Sequence, residues 1–376
     1  MFVGLLGLSG AGCKKQYDYN FTTSDGINRY DINWSAAADS STGFLVKNFW
    51  NAGSGYFMKD NSGDGTFNYW PQAHALDVML DADLRTGAKK YLDIYNKWYS
   101  GVQVKNGGSF INYFYDDMEW NALATLRAFD VTGDAKWKDA AQGLWADIKG
   151  GWNDVADGGI SWNKGEHGYK NTPANAPAAI IGARLYRHFN NADDLDWAKK
   201  IYSWEKSHLV DQGSGFVYDG MNKNGDGAID MWAFTYNQGV FIGAALELYA
   251  ITKDATYLND AIKTADNCLS SSTLTTSDRL LKDEGQGDGG LFKGIFIRYF
   301  TQLILHEDLP ADVRKRYISF IKLNAQTLWW AGTNKTIGLF GSYWKTAPGV
   351  TVDLTTEESG GMLIEALALL GKSKML

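Results

Sequence analysis

The chain has 376 residues, of which 45% are hydrophobic, 21% are charged and 14% are aromatic. Its net charge of −7 excludes a nucleic-acid-binding role, because phosphate binding needs a basic face. Only 5 prolines are present, and this scarcity, with long stretches of 3.6-residue periodicity, indicates an α-rich fold. The 15 tryptophans and 20 tyrosines favour a ligand that stacks on rings, as the apolar faces of sugars do.

The first residues predict a processing signal. Residues 1–13 are small and apolar and end in Gly10-Ala11-Gly12-Cys13, which resembles a bacterial lipoprotein signal with Cys13 as the lipidated residue. Residues 14–33 then form a polar tether, and residues 34–376 form a single domain. No downstream segment is apolar over about 18 residues. We therefore expect an exported protein, lipid-anchored at the bacterial cell surface or periplasmic face, that meets the membrane only through this anchor.

Charged, amphipathic helices alternate along the chain with helices that are apolar on nearly every side. The amphipathic helices are predicted over Ser35–Asn51, Lys89–Ser100, Lys136–Lys149, Asp194–Ser207, Ala255–Asn267 and Ala311–Trp329. The apolar helices are predicted over Ala73–Ala82, Met118–Asp130, Ala176–Phe189, Gly239–Ile251, Gly294–His306 and Gly360–Leu370. One-sided helices belong to an outer layer and all-round apolar helices are buried. Six pairs predict an all-α (α/α)6 barrel, a toroid of six inner and six outer helices, although an open solenoid is the alternative.

Two aspartates, Asp116 and Asp117, stand side by side where an aromatic run turns into the second apolar helix. Like charges this close repel, and aromatic surroundings desolvate them, so at least one of the two pKa values should rise. The alternative interpretation is a helix cap followed by a first-turn acid. We expect the pair to be catalytic.

Polar and aromatic residues occur where each of the six apolar helices begins. The loops that enter the inner helices of such a barrel converge on one end, so these residues should meet in one bowl around the aspartate pair. The candidates are Trp70, His74, Tyr115, Trp120, Asn171, Asn175, Tyr236, Asn237, Gln238, Asp288, Phe292, Lys293 and Glu358. Amides, carboxylates and rings around two carboxyl groups are typical of a carbohydrate-binding cleft.

Two Asx-rich loops, residues 60–68 and 222–230, resemble the start of a calcium-binding loop. Pro71 and Ala233 occupy the twelfth position, where such a loop needs an acidic ligand. Ordinary Asx turns are therefore favoured. The five histidines show no metal-ligand spacing, and Cys268 is expected to be a buried apolar group on a helix. We predict no metal and no cofactor.

Four motifs together resemble glycoside hydrolase family 76, the endo-α-1,6-mannanases that cut the backbone of fungal and yeast mannan. They are Asp116-Asp117-Met118-Glu119-Trp120, Gly158-Gly159-Ile160-Ser161-Trp162-Asn163, Thr235-Tyr236-Asn237-Gln238-Gly239 and Gly289-Gly290-Leu291-Phe292-Lys293-Gly294-Ile295. The resemblance implies a retaining double displacement with Asp116 as nucleophile and Asp117 as general acid/base, and adds Trp162 and Asn163 as substrate contacts. Ser161 departs from the pattern, in which a second aromatic residue is expected before Trp162.

The adjacency of the two aspartates agrees with retention, because retaining glycosidases place their carboxyl groups about 5–5.5 Å apart and inverting ones about 6.5–9.5 Å apart. Inversion would require a more distant base, for which Asp219 and Asp288 are the candidates. The rival functions are another (α/α)6 sugar enzyme, an epimerase or a uronyl hydrolase, and a non-catalytic surface glycan-binding lipoprotein. The predicted partner is α-mannan or a manno-oligosaccharide, and the predicted state is a monomer.

Overall fold

The computed structural model describes residues 21–22, 28–29 and 31–376. The predicted lipidation site, Cys13, lies outside the described residues. The chain divides into two units between Asn33 and Trp34. In the first unit, β1 (Phe21–Thr22) and β2 (Asn28–Arg29) pair antiparallel, with Phe21 opposite Arg29.

The second unit contains the twelve α-helices found in the described part of the chain, and they alternate between an outer and an inner layer as predicted. The outer helices are α1 (Trp34–Phe49), α3 (Leu92–Lys105), α5 (Ala135–Lys149), α7 (Ala192–His208), α9 (Ala255–Ser270) and α11 (Ala311–Trp330). The inner helices are α2 (Tyr69–Thr86), α4 (Tyr115–Thr132), α6 (Ala176–Phe189), α8 (Thr235–Thr252), α10 (Gly289–Leu305) and α12 (Leu354–Lys372). Each inner helix contacts the next, and α12 contacts α2, so the ring is closed. The fold is an (α/α)6 barrel, which confirms the prediction.

Burial separates the two layers as the sequence pattern requires. Every residue of α8 from Thr235 to Tyr249 is buried, because this helix is surrounded by protein on all sides. In α9 the buried residues follow one stripe, namely Leu258, Ala261, Thr264, Ala265 and Cys268. No helix among the described residues is long and apolar enough to cross a bilayer.

The connections at the two ends of the barrel differ in length, and this difference positions the site. Several inner helices end in a residue with left-handed backbone that is followed at once by the Asp or Asn cap of the next outer helix, as in Gly133-Asp134 and Asn190-Asn191. The returning connections are long, such as residues 150–175 and 209–234. These long loops gather where the inner helices begin, and they build the walls of a cleft.

Short strands stabilise the long connections. β3 (Trp50–Asn51) pairs with β4 (Tyr56–Phe57), and β8 (Thr333–Asn334) pairs with β9 (Leu339–Phe340). A three-stranded sheet joins two neighbouring loops and has the order β5 (Lys170–Asn171), β6 (Gly220–Met221) and β7 (Ile229–Asp230). Two 3-10 turns, Val155–Asp157 and Thr172–Ala174, complete these loops.

Glycine permits the close approach of inner helices. A Cβ atom on Gly239 would lie 2.6 Å from the Cα atom of Phe296, and one on Gly294 would lie 2.6 Å from the Cα atom of Ser359. Both contacts are with backbone of the neighbouring inner helix, which cannot move aside as a side chain can. Crowding around the barrel axis therefore explains these two glycines.

Ion pairs, some buried and some partly buried, connect the inner helices beyond their first turns. Arg127 of α4 pairs with Asp77 and Asp81 of α2, and Arg298 of α10 also reaches Asp81, at 2.9 Å. At the seam between the last and first helices, Arg85 Nε lies 2.7 Å from Glu365 Oε2, and both side chains are almost fully buried. These pairs lie away from the N-terminal ends of the inner helices, where the cleft lies.

The two Asx-rich loops are closed by their own hydrogen bonds. Asp60 Oδ1 accepts the backbone N–H groups of Ser62 and Asp64, at 2.8 and 3.4 Å. In the second loop, Asn222 Oδ1 accepts the backbone N–H of Gly227 at 2.9 Å. The bond from Ser62 to Asp60 and that from Ala228 to Asp226 form Asx turns, and the Asn222–Gly227 bond closes a wider loop. No cluster of three or more acidic, histidine or cysteine side chains suited to a metal occurs in residues 31–376.

Candidate active site

A cleft of about 700 Å3 opens where the inner helices begin. Its lining includes ten of the residues selected from the sequence, namely Trp70, Asp116, Asp117, Trp120, Trp162, Asn171, Asp219, Tyr236, Asp288 and Phe292. The other lining residues are Asn68, Phe114, Glu166, Tyr169, Pro173, Lys223, Asn224, Trp232 and Phe234. The cleft therefore combines aromatic walls with carboxyl and amide groups around the aspartate pair.

Asp116 is placed in the first turn of α4 and accepts two hydrogen bonds. The backbone N–H of Asp117 donates to Oδ1 at 3.0 Å, and the indole N–H of Trp162 donates to Oδ2 at 3.1 Å. Burial raises the pKa of Asp116 to about 7, the two hydrogen bonds oppose this rise, and the nearby charge of Asp219 adds to it. Asp116 is thus a carboxyl group that is ionised in a substantial fraction of molecules at neutral pH.

Asp117 has a different environment, although it is the next residue. No hydrogen bond to its carboxyl group is formed by the residues that the structure describes. Burial raises the pKa of Asp117 well above its usual range, and the negative charges of Asp116 and Asp288 raise it further. Its protonated form is therefore favoured relative to that of an exposed aspartate. The two neighbours differ in that only Asp116 has hydrogen bonds from the described residues that favour its ionised form.

Asp219 lies beside Asp116 and is held by three donors. Asn237 Nδ2 donates to its Oδ1 at 2.9 Å, and the hydroxyl groups of Tyr236 and Tyr169 donate at 3.3 and 3.2 Å. Burial raises the pKa of Asp219, and the three hydrogen bonds limit the rise. These contacts fix the orientation of the Asp219 carboxyl group.

Aromatic rings form both walls. On one side the indole N–H of Trp70 donates to Asp288 Oδ1 at 3.0 Å, and the ring of Trp70 lies 6.4 Å from that of Trp120. On the other side Tyr236 and Phe292 stack with centroids 4.0 Å apart and planes within 5°. Flat rings beside hydrogen-bonding groups suit a pyranose, which has an apolar face and a hydroxylated edge.

Four of the predicted contacts lie outside the cleft lining because their side chains hold the loops that form it. Asn175 bonds the backbone N–H and C=O of Ile160, and Gln238 bonds both backbone groups of Val217. Asn163 Oδ1 accepts from the backbone of Gly165 and Glu166, while Asn237 supports Asp219 as described. These amides position the loops of the cleft and are not part of its lining.

Four further candidates are buried beneath the cleft or behind it: His74, Tyr115, Lys293 and Glu358. The ring of His74 lies 5.4 Å from Trp70 and 5.0 Å from Trp120, and burial lowers the pKa of His74 to about 3, so its imidazole is neutral. The ammonium of Lys293 donates to the backbone carbonyl of Ser342 at 2.5 Å. Successive helical residues point about 100° apart, so only some residues of each opening can face the cleft.

The family position occupied by Ser161 has a clear structural role. Ser161 is fully buried, and its hydroxyl accepts a hydrogen bond from Lys170 Nζ at 3.1 Å and donates to the carbonyl of His167 at 3.0 Å. Trp162 alone of this pair lines the cleft. The side chain of Ser161 is therefore part of the scaffold of the loop.

The charges of the cleft restrict the substrate. Acidic lining residues outnumber basic ones, since Lys223 is the single cationic residue in the lining. A uronate or another anionic sugar would be repelled by the carboxyl groups around the aspartate pair. The geometry favours a neutral glycan.

Comparison with known proteins identifies the family. The model of glycosyl hydrolase family 76 matches residues 33–372. The chain belongs to this family. It is therefore a glycoside hydrolase, as the resemblance of the motifs implied.

The solved structures similar to this family 76 member include an α-1,6-mannanase, GH76A of Salegentibacter sp. HEL1_6. The two chains are 44% identical, with a TM-score of 0.87 over 90% of this chain and 100% of the other. An inactive variant of that protein, with two consecutive aspartates replaced by asparagine, was solved in complex with α-1,6-mannotriose. The Lin0763 protein of Listeria innocua is 41% identical, with a TM-score of 0.84 over 90% of this chain and 98% of the other.

A similar fungal protein is the mannan endo-1,6-alpha-mannosidase DCW1 of Eremothecium gossypii. It is 27% identical over 205 residues, which are 51% of this chain and 45% of the fungal protein. The chain thus spans about half the length of this relative.

Proposed function

We propose that this family 76 member is an endo-acting α-1,6-mannanase that cleaves the mannan backbone with retention of configuration. The observation that carries the proposal is the pair Asp116 and Asp117 at the floor of a neutral-sugar cleft. The carboxyl group of Asp116 accepts two hydrogen bonds, and that of Asp117 accepts none from the described residues. The relative with 44% identity is named an α-1,6-mannanase, and its variant with two consecutive aspartates replaced is inactive. Both facts support the same reaction here.

In the first step, the ionised carboxylate of Asp116 attacks the anomeric carbon and forms a glycosyl ester. Asp117 donates its proton to the glycosidic oxygen, so the leaving chain departs as a neutral alcohol. In the second step, Asp117 takes a proton from water, and the resulting hydroxide displaces Asp116 from the anomeric carbon. The hydrogen bonds to Asp116 disperse charge on the leaving carboxylate in this step.

Single asparagine variants distinguish the two roles. Asp116→Asn should abolish turnover of every substrate, because the nucleophile is lost. Asp117→Asn should retain cleavage of mannosides with good leaving groups, which need little protonation, while cleavage of mannan falls by about two to four orders of magnitude. Activity on mannan that survives in both variants would refute the assignment.

The stereochemistry and the product sizes test the remaining parts of the proposal. NMR of early product should show the α anomer first, and the β anomer first would mean inversion with a more distant base such as Asp288. Incubation with unbranched α-1,6-mannan should give a ladder of oligosaccharides. Release of mannose alone from the first time points would exclude endo action.

We further propose that the protein is exported and anchored through lipid on Cys13, on the strength of the sequence pattern of residues 1–13. Full-length protein made in a bacterium should fractionate with membranes, and Cys13→Ala should release it. Equal membrane association of the two forms would refute the anchor.

A further inference from the structure

An exposed tryptophan stands at the rim of the cleft. Trp232 lies between β7 and α8, keeps 54% of its surface in contact with solvent, and is part of the cleft lining. A large apolar ring in this position loses free energy by remaining hydrated. Trp232 is not part of the barrel core, and a ligand stacked on its ring would remove the ring from water.

A series of rings leads from Trp232 down to the catalytic floor. The centroid of Trp232 lies 6.0 Å from that of Phe234, which lies 5.1 Å from that of Phe292. Phe292 stacks on Tyr236, whose hydroxyl donates to Asp219. Exposure decreases along this series, from the exposed indole to the buried phenol. The exposed ring is therefore continuous with the wall that faces the aspartate pair.

The loop that carries Trp232 is firmly attached to the site. The three-stranded sheet β5-β6-β7 joins it to Asn171 of the cleft, and β6 follows directly after Asp219. Asn222 Nδ2 donates to the carbonyl of Gly168 at 2.8 Å, which fixes the start of the turn to the neighbouring loop. Because the sheet spans both loops, the ring keeps a defined position relative to the reacting carboxyl groups.

Polar groups flank the ring in the way that a sugar requires. The ammonium of Lys223 lies 4.5 Å from the centroid of Trp232, and it lies 5.9 Å from that of Tyr169. Asn224 also lines the cleft. Because Lys223 lies over one face of the indole, a pyranose would stack on the opposite face, and the ammonium and the amide would be donors for its hydroxyl groups.

We infer that Trp232 is the platform of a distal sugar subsite, which binds a unit of the glycan remote from the bond that is cleaved. This inference rests on the proposed mannanase function and adds to it a preference for long chains. Stacking at a remote position contributes binding that a short oligosaccharide cannot reach. The subsite therefore makes Trp232 a determinant of chain-length specificity, with Lys223 orienting the indole.

The test compares kcat/KM for α-1,6-manno-oligosaccharides of increasing length and for the linear polymer. Trp232→Ala should lower kcat/KM about ten-fold on the polymer, mainly through KM, and less than two-fold on the shortest oligosaccharide cleaved. Trp232→Phe should recover most of the loss because a ring remains. Met231→Ala is the matched control, since Met231 is the neighbouring residue, is 69% exposed and lies outside the cleft lining.

Different outcomes separate the inference from the function on which it rests. If the wild-type protein cleaves none of these substrates, the proposed function fails and the subsite fails with it. If the wild type cleaves them but Trp232→Ala lowers kcat/KM equally at every chain length, the distal subsite is refuted while the mannanase function stands. The same conclusion follows if Met231→Ala reproduces the length-dependent loss.

Discussion

Replacement of Trp162 by phenylalanine should move the acid limb of the pH–activity profile to higher pH. In the proposed mechanism this limb reports ionisation of the nucleophile, Asp116, whose carboxylate accepts hydrogen bonds from Trp162 and from the backbone of Asp117. Phenylalanine keeps a ring for the packing against Phe114, 5.1 Å away, and removes only the N–H donor. The variant therefore isolates one hydrogen bond to the ionised form.

The magnitude follows from the free energy of that bond. A hydrogen bond to a charged group contributes about 1.5 kcal/mol, and one pKa unit corresponds to about 1.4 kcal/mol. Loss of a donor to the anion raises the pKa of Asp116, so the acid limb should rise by about one pH unit. At a pH well below 7, where the wild-type carboxyl is mostly protonated, kcat/KM should fall about ten-fold further. At a pH above the acid limbs of both the wild type and the variant, kcat/KM of the variant should fall far less.

The assay measures kcat/KM for mannan across the pH range. The readout is the pH at which the acid limb lies, because the maximal value of kcat/KM also depends on how the ring at position 162 contacts the substrate. The two carboxyl groups are coupled, so the measured constants belong to the pair. Asp219→Asn provides an opposite arm, since removal of a neighbouring negative charge should move the acid limb of Asp116 to lower pH. An unmoved limb in Trp162→Phe, or a loss that is uniform across pH, would refute the reasoning.

Two further predictions concern stability and are measured by denaturant unfolding. Gly239→Ala should lower the free energy of unfolding by about 2 kcal/mol, because the new methyl group would meet the backbone of Phe296. Gly143→Ala in α5, where nothing lies within 4 Å of the added Cβ, should raise the free energy of unfolding by about 0.5–1 kcal/mol. Equal effects at the two glycines would contradict the account of inner-helix crowding. Arg85→Met should lower the free energy of unfolding by about 3 kcal/mol, because it leaves the buried carboxylate of Glu365 without its cation. A loss under 1 kcal/mol would mean that this pair does not secure the seam of the barrel.

The two layers of the barrel could be predicted from the sequence because the spacing of apolar residues indicates both a helix and how much of its surface is buried. The start of α6 was predicted at the observed residue, Ala176, but the other five inner helices begin earlier than predicted. For example, α8 begins at Thr235 and was predicted from Gly239. The first turn of this helix carries aromatic and amide side chains that line or support the cleft. These residues interrupt the apolar pattern from which the helix was predicted. The prediction for α12, which begins at Leu354, was also too short, because residues 355–359 at its start are polar although they are buried.

The catalytic pair and the main rings of the cleft were also accessible from the sequence, because they lie at the openings of the helices. The sequence did not show which residues of an opening face the cleft. Tyr236 lines it, whereas Asn237 bonds to Asp219 and Gln238 bonds to the backbone of Val217. The contributions of Lys223 and Trp232 depend on how a hairpin folds over a neighbouring loop. Extension of the opening of α8 by three residues toward the N-terminus would have included Trp232, whereas no sequence pattern selects Lys223.

The closure of the ring by α12 has a consequence for how the protein is made. This helix contacts α1, α2 and α10, so the first and last parts of the barrel share one interface. Synthesis proceeds from the N-terminus at about 5–20 residues per second. The apolar faces of α1 and α2 therefore stay uncovered until α12, the last helix of the barrel, has been synthesised. Joining them closes a loop of most of the chain, which is a slow, non-local step. The hydrogen bond from Trp70 to Asp288 spans the gap that α12 fills, so this wall of the cleft assembles only after the ring is complete.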